Sequence, residues 1–194
     1  MRSNVTLFTL CVLAAACGDR ARTVAAPDFS LPVVADQSSA MDDMSDGHYN
    51  PKLLGTNENP QRITPAHGRA VFHVSDDGTS VDYQLVVNDI TNVRQSHIHI
   101  GQPGTNGPIV VFLYGPVPAG GGPIDGMIAR GTFTAANLIG PLKGHQFSEL
   151  LDAMRTGNAY VNVHTDDGVP PANTGPGDFP GGEIRGVLID RHPD

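Results

Sequence analysis

An all-β fold, an antiparallel sandwich or barrel with one short helix, is predicted by three features of the 194-residue chain. Gly and Pro number 23 and 16, about a fifth of the residues, against a usual combined share of roughly 12%. A helical bundle does not absorb that many breakers. From Lys52 onward, short runs alternating apolar and polar residues are separated by Gly, Pro, Asn and Asp. Asp76-Asp77-Gly78-Thr79 joins two of these runs as a hairpin turn.

Taken in order, the expected strands are Leu53 to Asn57, Ala70 to Val74, Val81 to Asn88, Gln95 to Ile100, Ile109 to Tyr114, Met127 to Phe133, Ala159 to His164 and Glu183 to Ile189. One helix interrupts them: Phe147, Leu150, Leu151 and Met154 recur at helical spacing and Gly157 supplies the C-terminal cap. Its apolar stripe is expected to cover an open end of the sandwich. No internal repeat and no second domain is visible.

Charge narrows the function classes. Twenty acidic side chains against 12 basic ones give a net charge of −8, and no Lys/Arg cluster offers the basic face that nucleic acid requires. No apolar run beyond the N-terminus is long enough to span a bilayer.

The N-terminus reads as an address. Met1 and Arg2 precede an uncharged stretch whose centre, Leu7 to Leu13, has the length of a signal-peptide apolar region. Ala14-Ala15-Ala16-Cys17 then resembles a bacterial lipobox, with Ala14 where Leu is commoner. That resemblance implies a signal peptide over 1–16, with Cys11 leaving with it, and lipidation of Cys17. Acyl chains contribute about 0.8 kcal/mol per buried CH₂ and would hold the protein on a membrane surface. The residue after the cysteine, Gly18, is not Asp, which by resemblance to lipoprotein sorting signals implies the outer membrane of a bacterial envelope. Plain secretion after a cut near Ala16 is the alternative. Residues 17–51 are polar and acidic and read as a flexible tether, 52–190 as the folded domain and 191–194 as a tail.

Period-two alternation places the histidines. In Gln95-Ser96-His97-Ile98-His99-Ile100, the isoleucines share one face and His97 and His99 the other. Val161 and Val163 point inward, leaving Tyr160, Asn162 and His164 opposite. Ile184 and Leu188 read as core, so Glu183 and Arg185 face away from it, although Val187 and Ile189 continue the Glu183 face and leave this strand ambiguous. His-x-His on a strand sets two imidazoles side by side, and a third from a neighbouring strand would complete a three-nitrogen site suited to copper or zinc. The alternative is that these imidazoles hydrogen-bond loops over a sheet face. His73 stands alone on its strand, His67 and His145 fall in loops, and His48 and His192 in tails. Asp166, Asp167, Asn173 and Asp178 supply oxygens in one long loop, but without the regular spacing of a calcium loop.

The chain resembles the CHRD domain, named for chordin. Leu54-Gly55-Thr56-Asn57-Glu58-Asn59-Pro60 with Gly68-Arg69-Ala70 is similar to its opening, and Ser96 to Gly101 and Asn106 to Val110 to its centre. Gly157 to Thr165 resembles its later motif, and Gly181-Gly182-Glu183-Ile184-Arg185-Gly186 its close. The similarity covers about residues 52–189; Gln61 stands where a second Pro is usual, and the segment from Asp166 to Pro180 is longer than the usual link. The resemblance implies an immunoglobulin-like Greek-key sandwich distantly similar to Cu/Zn superoxide dismutase. By that similarity His97, His99 and His164 resemble copper histidines and Arg185 the arginine that guides the anion. Glu183 and Asn162 would then orient a ligand or Arg185, or the Glu183–Arg185 pair would be an ordinary strand-end salt bridge. No counterpart of the bridging histidine, zinc subsite or disulfide is present. Three readings follow: a tethered transition-metal binder, a non-catalytic module for an exported protein or glycan partner, and a dismutase-like redox enzyme.

Overall fold

The computed structural model describes residues 47–189, all within one compact unit. The expected signal peptide, both cysteines with the Cys17 lipidation site, most of the tether, and the tail with His192 lie outside the described residues. Among the described residues nine strands and one α-helix are formed: β1 (His48–Tyr49), β2 (Lys52–Leu54), β3 (His67–Val74), β4 (Ser80–Thr91), β5 (Val93–Ile100), β6 (Ile109–Tyr114), β7 (Pro123–Thr134), α1 (Phe147–Arg155), β8 (Ala159–Thr165) and β9 (Ile184–Leu188). Every pairing is antiparallel. The sheet order is β6-β5-β8-β9-β2-β3-β4-β7, with β1 added on β3. The end strands β6 and β7 approach each other, so the sheet curls into a nearly closed barrel. Among the described residues, no helix is long and apolar enough to cross a membrane.

All eight expected strands form, with instructive differences at their ends. The first run stops at Leu54 because Gly55–Asn57 turns as a 3-10 helix. Gly55 is required there: a Cβ would lie 2.6 Å from the Arg62 carbonyl oxygen and from Thr64 Cγ2. β4 extends past Asn88 because a bulge between Val87 and Ile90 resets the alternation, letting Leu85, Val87 and Ile90 all face inward. Asp89 takes a φ of 52° at that bulge, and its N–H donates to Asp125 Oδ1 at 2.7 Å. β7 begins four residues ahead of the expected run; Pro123 is tolerated as its first residue, where no ladder donor is needed. The sheet also starts ahead of Lys52. Tyr49, in the stretch read as tether, pairs with Phe72 and is 3% exposed.

The core is filled from the inward rows: Leu53, Phe72, Leu85, Ile98, Val161, Val163, Ile184 and Leu188 are fully buried. The hairpin turn forms as expected, with Gly78 at φ 65° and Asp77 Oδ1 accepting from Ser75 Oγ, Thr79 N and Thr79 Oγ1. α1 buries Phe147, Leu150 and Met154. The Phe147 ring meets Phe133 edge-on at 6.0 Å, so the apolar stripe closes the core beside the end of β7. Gly157, at φ 72°, returns its N–H to the Met154 carbonyl and ends the helix.

Candidate metal centre

The site lies on the face of the sheet opposite the core. Register sets one row across four strands: Phe112 on β6, His97 on β5, Asn162 on β8 and Arg185 on β9 are directly paired in turn. His99 pairs with Tyr160, and His164 lies two residues along β8 from Asn162. Alternation thus brings together His97, His99, Asn162, His164 and Arg185, but the face is not solvated. His97, His99, Asn162, His164, Glu183 and Arg185 are all buried, as is every residue of β8. Loops cover them, among them the long connection that starts at Asp166 and reaches β9.

One ring nitrogen from each of His97, His99 and His164 lies within 4.8 Å of the others. His97 Nδ1 and His164 Nε2 are 3.1 Å apart. Two nitrogens bound at 2.0–2.1 Å to a shared ion in tetrahedral geometry lie about 3.3 Å apart, so the pair is already near ligand spacing. Backbone carbonyls fix the tautomers of His164 and His99. His164 Nδ1 donates to Pro180 O and His99 Nδ1 to Gly107 O, both at 2.8 Å. Each Nε2 therefore carries a lone pair, the arrangement that orients metal-bound imidazoles. His99 Nε2 and His97 Nε2 are buried with no hydrogen-bond partner. Buried polar atoms are seldom left this way; without an ion His97 Nδ1 can donate to His164 Nε2, and an ion among the rings would take the lone pairs of His99 Nε2, His164 Nε2 and, once its proton moves to Nε2, His97 Nδ1. The three residues could hold a metal ion.

Two aromatic rings complete the wall. Phe112 meets His97 edge-on at 4.4 Å, and Tyr160 stacks on His99 at 4.8 Å, 4° from parallel. The Tyr160 hydroxyl accepts from Gly107 N at 3.0 Å, which fixes the carbonyl that orients His99.

The charged pair differs from expectation. Glu183 neither faces Arg185 nor forms a strand-end salt bridge with it. Its oxygens accept from Thr64 Oγ1 (2.5 Å), Thr165 Oγ1 (2.6 Å) and Gly177 N (2.9 Å), tying the covering loops to β8. The partner of Arg185 is Glu58, 127 positions away: Nε and Nη2 reach Oε2 at 2.9 and 2.8 Å, both groups buried. Nη1 donates to Thr105 O at 2.9 Å and Nη2 to Asn106 Oδ1 at 2.5 Å, while the guanidinium lies 4.0 Å from the Tyr160 ring centre. Most of its five donors are committed, so Arg185 clamps two loops onto β9 rather than presenting a free guanidinium to an anion.

The residues that sequence reasoning passed over here are Glu58, Gly107 and Pro180. Glu58 stood inside a quoted motif, but no local pattern marks a loop carboxylate as the partner of a distant arginine. The two carbonyls have no side-chain signature. Elsewhere, His48 and His73 are cross-strand partners with rings stacked at 4.2 Å. Asp166, Asp167 and Asp178 come within 4.8 Å of one another. Each caps its own loop, accepting from Gly168 N, Val169 N and Thr174 N respectively. Asn173, expected with them, takes a φ of 66° and donates its N–H to the Asp178 carbonyl.

Burial keeps the triad uncharged. It lowers His97 to about 3, helped by the repulsion that a protonated His97 would meet from His164 and His99 in their charged forms. It lowers His164 to about 4, against the Pro180 hydrogen bond, and lowers His99 too. Burial raises Glu58, against the attraction of Arg185. For a base whose folded pKa is lowered, the unfolded chain binds more protons below its own pKa of 6.5, so stability falls as pH falls. Glu58 acts in the opposite sense, since a raised carboxyl is protonated first in the folded chain. The metal-free protein is expected to lose melting temperature steadily from pH 6.5 toward 4, and a His97→Gln variant to lose less. Urea or thermal melts across that range check this; a flat profile from 6.5 to 5 contradicts it.

Comparison with curated proteins and with solved structures returned no match. The sequence does match a family, the CHRD domain, over residues 49–188. That span runs from β1 to the last residue of β9 and includes all three histidines and the residues around them, and the chain belongs to the CHRD domain family.

Proposed function

We propose that this chain is a membrane-tethered extracytoplasmic lipoprotein whose CHRD domain binds one transition-metal ion, copper or zinc, through His97, His99 and His164. The observation that carries the metal assignment is the buried His99 Nε2, which has no partner at full hydrogen-bond geometry. Its lone pair is fixed by the Gly107 carbonyl and lies with two further imidazoles within 4.8 Å. Three neutral imidazoles suit both copper and zinc. The tether reading rests on Ala14-Ala15-Ala16-Cys17 behind a short apolar stretch. Catalysis is not part of the proposal, because Arg185 is spent on Glu58, Thr105 and Asn106.

Protein isolated from its native envelope fraction tests both halves. Elemental analysis is expected to find one copper or zinc ion per chain, absent from His97→Ala, and Cys17→Ser is expected to leave the membrane fraction. Metal-free wild type would overturn the first half; an acyl-free Cys17 on the intact protein would overturn the second.

A further inference from the structure

Asn162 occupies the centre of the site rather than its margin. It lies between His97 and Arg185 in the cross-strand row and is 1% exposed. Its Oδ1 is 3.0 Å from His164 Nε2. That nitrogen carries a lone pair, because the ring's only proton is on Nδ1 and is given to Pro180 O. Two acceptors therefore face each other in a buried space; in the metal-free chain His97 Nδ1, 3.1 Å from the nitrogen, can donate to it, and an ion taking the place of that proton would lie beside both acceptors.

Turning the amide over does not remove the conflict. Asn162 Nδ2 and Glu58 Oε1 crowd one point beside Gly182: a Cβ there would meet them at 2.9 and 2.4 Å. Glu58 Oε1 has no partner at full hydrogen-bond geometry, yet the Asn162 amide stands close enough to favour the carboxylate form. Reversing the amide would set Oδ1 against that carboxylate. Arg185 holds Glu58 through Oε2, so the orientation is fixed from Arg185 to Glu58 to Asn162. Gly182, at φ 119°, leaves the room for it.

Resting on the metal-site reading above, we propose that Asn162 supplies a fourth, oxygen donor to the ion held by His97, His99 and His164, with the Arg185–Glu58 pair as its positioning group. All four donors are then neutral, and the three-nitrogen, one-oxygen set completes a four-coordinate site.

The test uses the full chain with Cys11→Ser and Cys17→Ser, so that thiols do not compete, and compares wild-type Asn162 with Asn162→Ala and Asn162→Asp. Zinc affinity is read by competition with a chromophoric chelator, and coordination by the visible band intensity of bound cobalt(II). Asn162→Ala is expected to weaken zinc about 10- to 100-fold and to change the cobalt spectrum. Asn162→Asp keeps an oxygen at the donor position but sets its second oxygen against Glu58, so it is expected to bind zinc more tightly than Asn162→Ala. Equal affinity and an unchanged cobalt spectrum in Asn162→Ala would overturn the fourth donor while leaving the histidine site standing. If Asn162→Ala does not fold, the cobalt spectrum of Asn162→Asp decides: a shifted band supports the donor and an identical one overturns it. A parent chain that binds neither zinc nor cobalt would remove this inference and the reading beneath it together.

Discussion

Arg185→Ala is expected to lower the stability of the metal-free protein by about 3–5 kcal/mol, the usual cost of breaking a buried ion pair from one side. The loss is large because Glu58 cannot recover solvation. Its side chain is 1% exposed, that of Arg185 is 3%, and Oε1 already lacks a partner. Removing the guanidinium leaves a buried carboxylate that must be protonated or drag its loop into water. It also strips the Thr105 carbonyl and Asn106 Oδ1 of their donors, loosening the loop whose next residue, Gly107, orients His99. Against a total of roughly 5–15 kcal/mol for a domain, this is a sizeable fraction. Arg185→Lys is expected to recover little, since a single ammonium cannot span Glu58, Thr105 and Asn106 at once. Pairing Arg185→Met with Glu58→Gln is expected to be milder than Arg185→Ala alone, because no uncompensated charge remains. Urea melts measure all three. An Arg185→Ala loss below about 1 kcal/mol would mean that the pair is hydrated in solution.

How much of this was legible in the sequence follows from the range of the forces involved. Strand parity is local, so the common face of His97, His99, Asn162, His164 and Arg185 could be read from alternation alone. Whether that face met water or loops could not. Burial of His97 depends on Phe112 and on segments far away in the chain, and parity carries no sign of them. Glu183 shows the same limit from the other side. It shares a parity with Arg185, but it precedes β9 at a bend where its N–H still reaches the Val163 carbonyl, and its carboxylate turns to Thr64, Thr165 and Gly177. Strand ends failed for physical reasons too: the bulge at Asp89 and the turn at Gly55 are backbone events that a hydropathy pattern averages over. The helix was legible because its stripe and its glycine cap agree.

A second large effect is expected from metal itself. A ligand that binds only the folded chain stabilises it by about 2.7 kcal/mol at 100 times its dissociation constant and about 4.1 at 1,000 times. For a domain of this size each kcal/mol corresponds to roughly 2–4 °C of melting temperature, so saturating copper or zinc is expected to raise the melt by about 5–16 °C. Since His97 is fully buried, His97→Ala also leaves a cavity and lowers the metal-free melt. The informative quantity is therefore the shift on adding metal, and His97→Gln, which fills more of the space, is the companion variant.

The most direct measurement of whether this domain is built around an ion is that shift: thermal melts of the metal-free protein with and without one excess of zinc or of copper, in wild type and His97→Ala. A rise of several degrees in wild type that disappears in His97→Ala is the expected result. No rise with either metal in wild type would contradict the account, leaving the three imidazoles as buried groups that hold loops over a sheet.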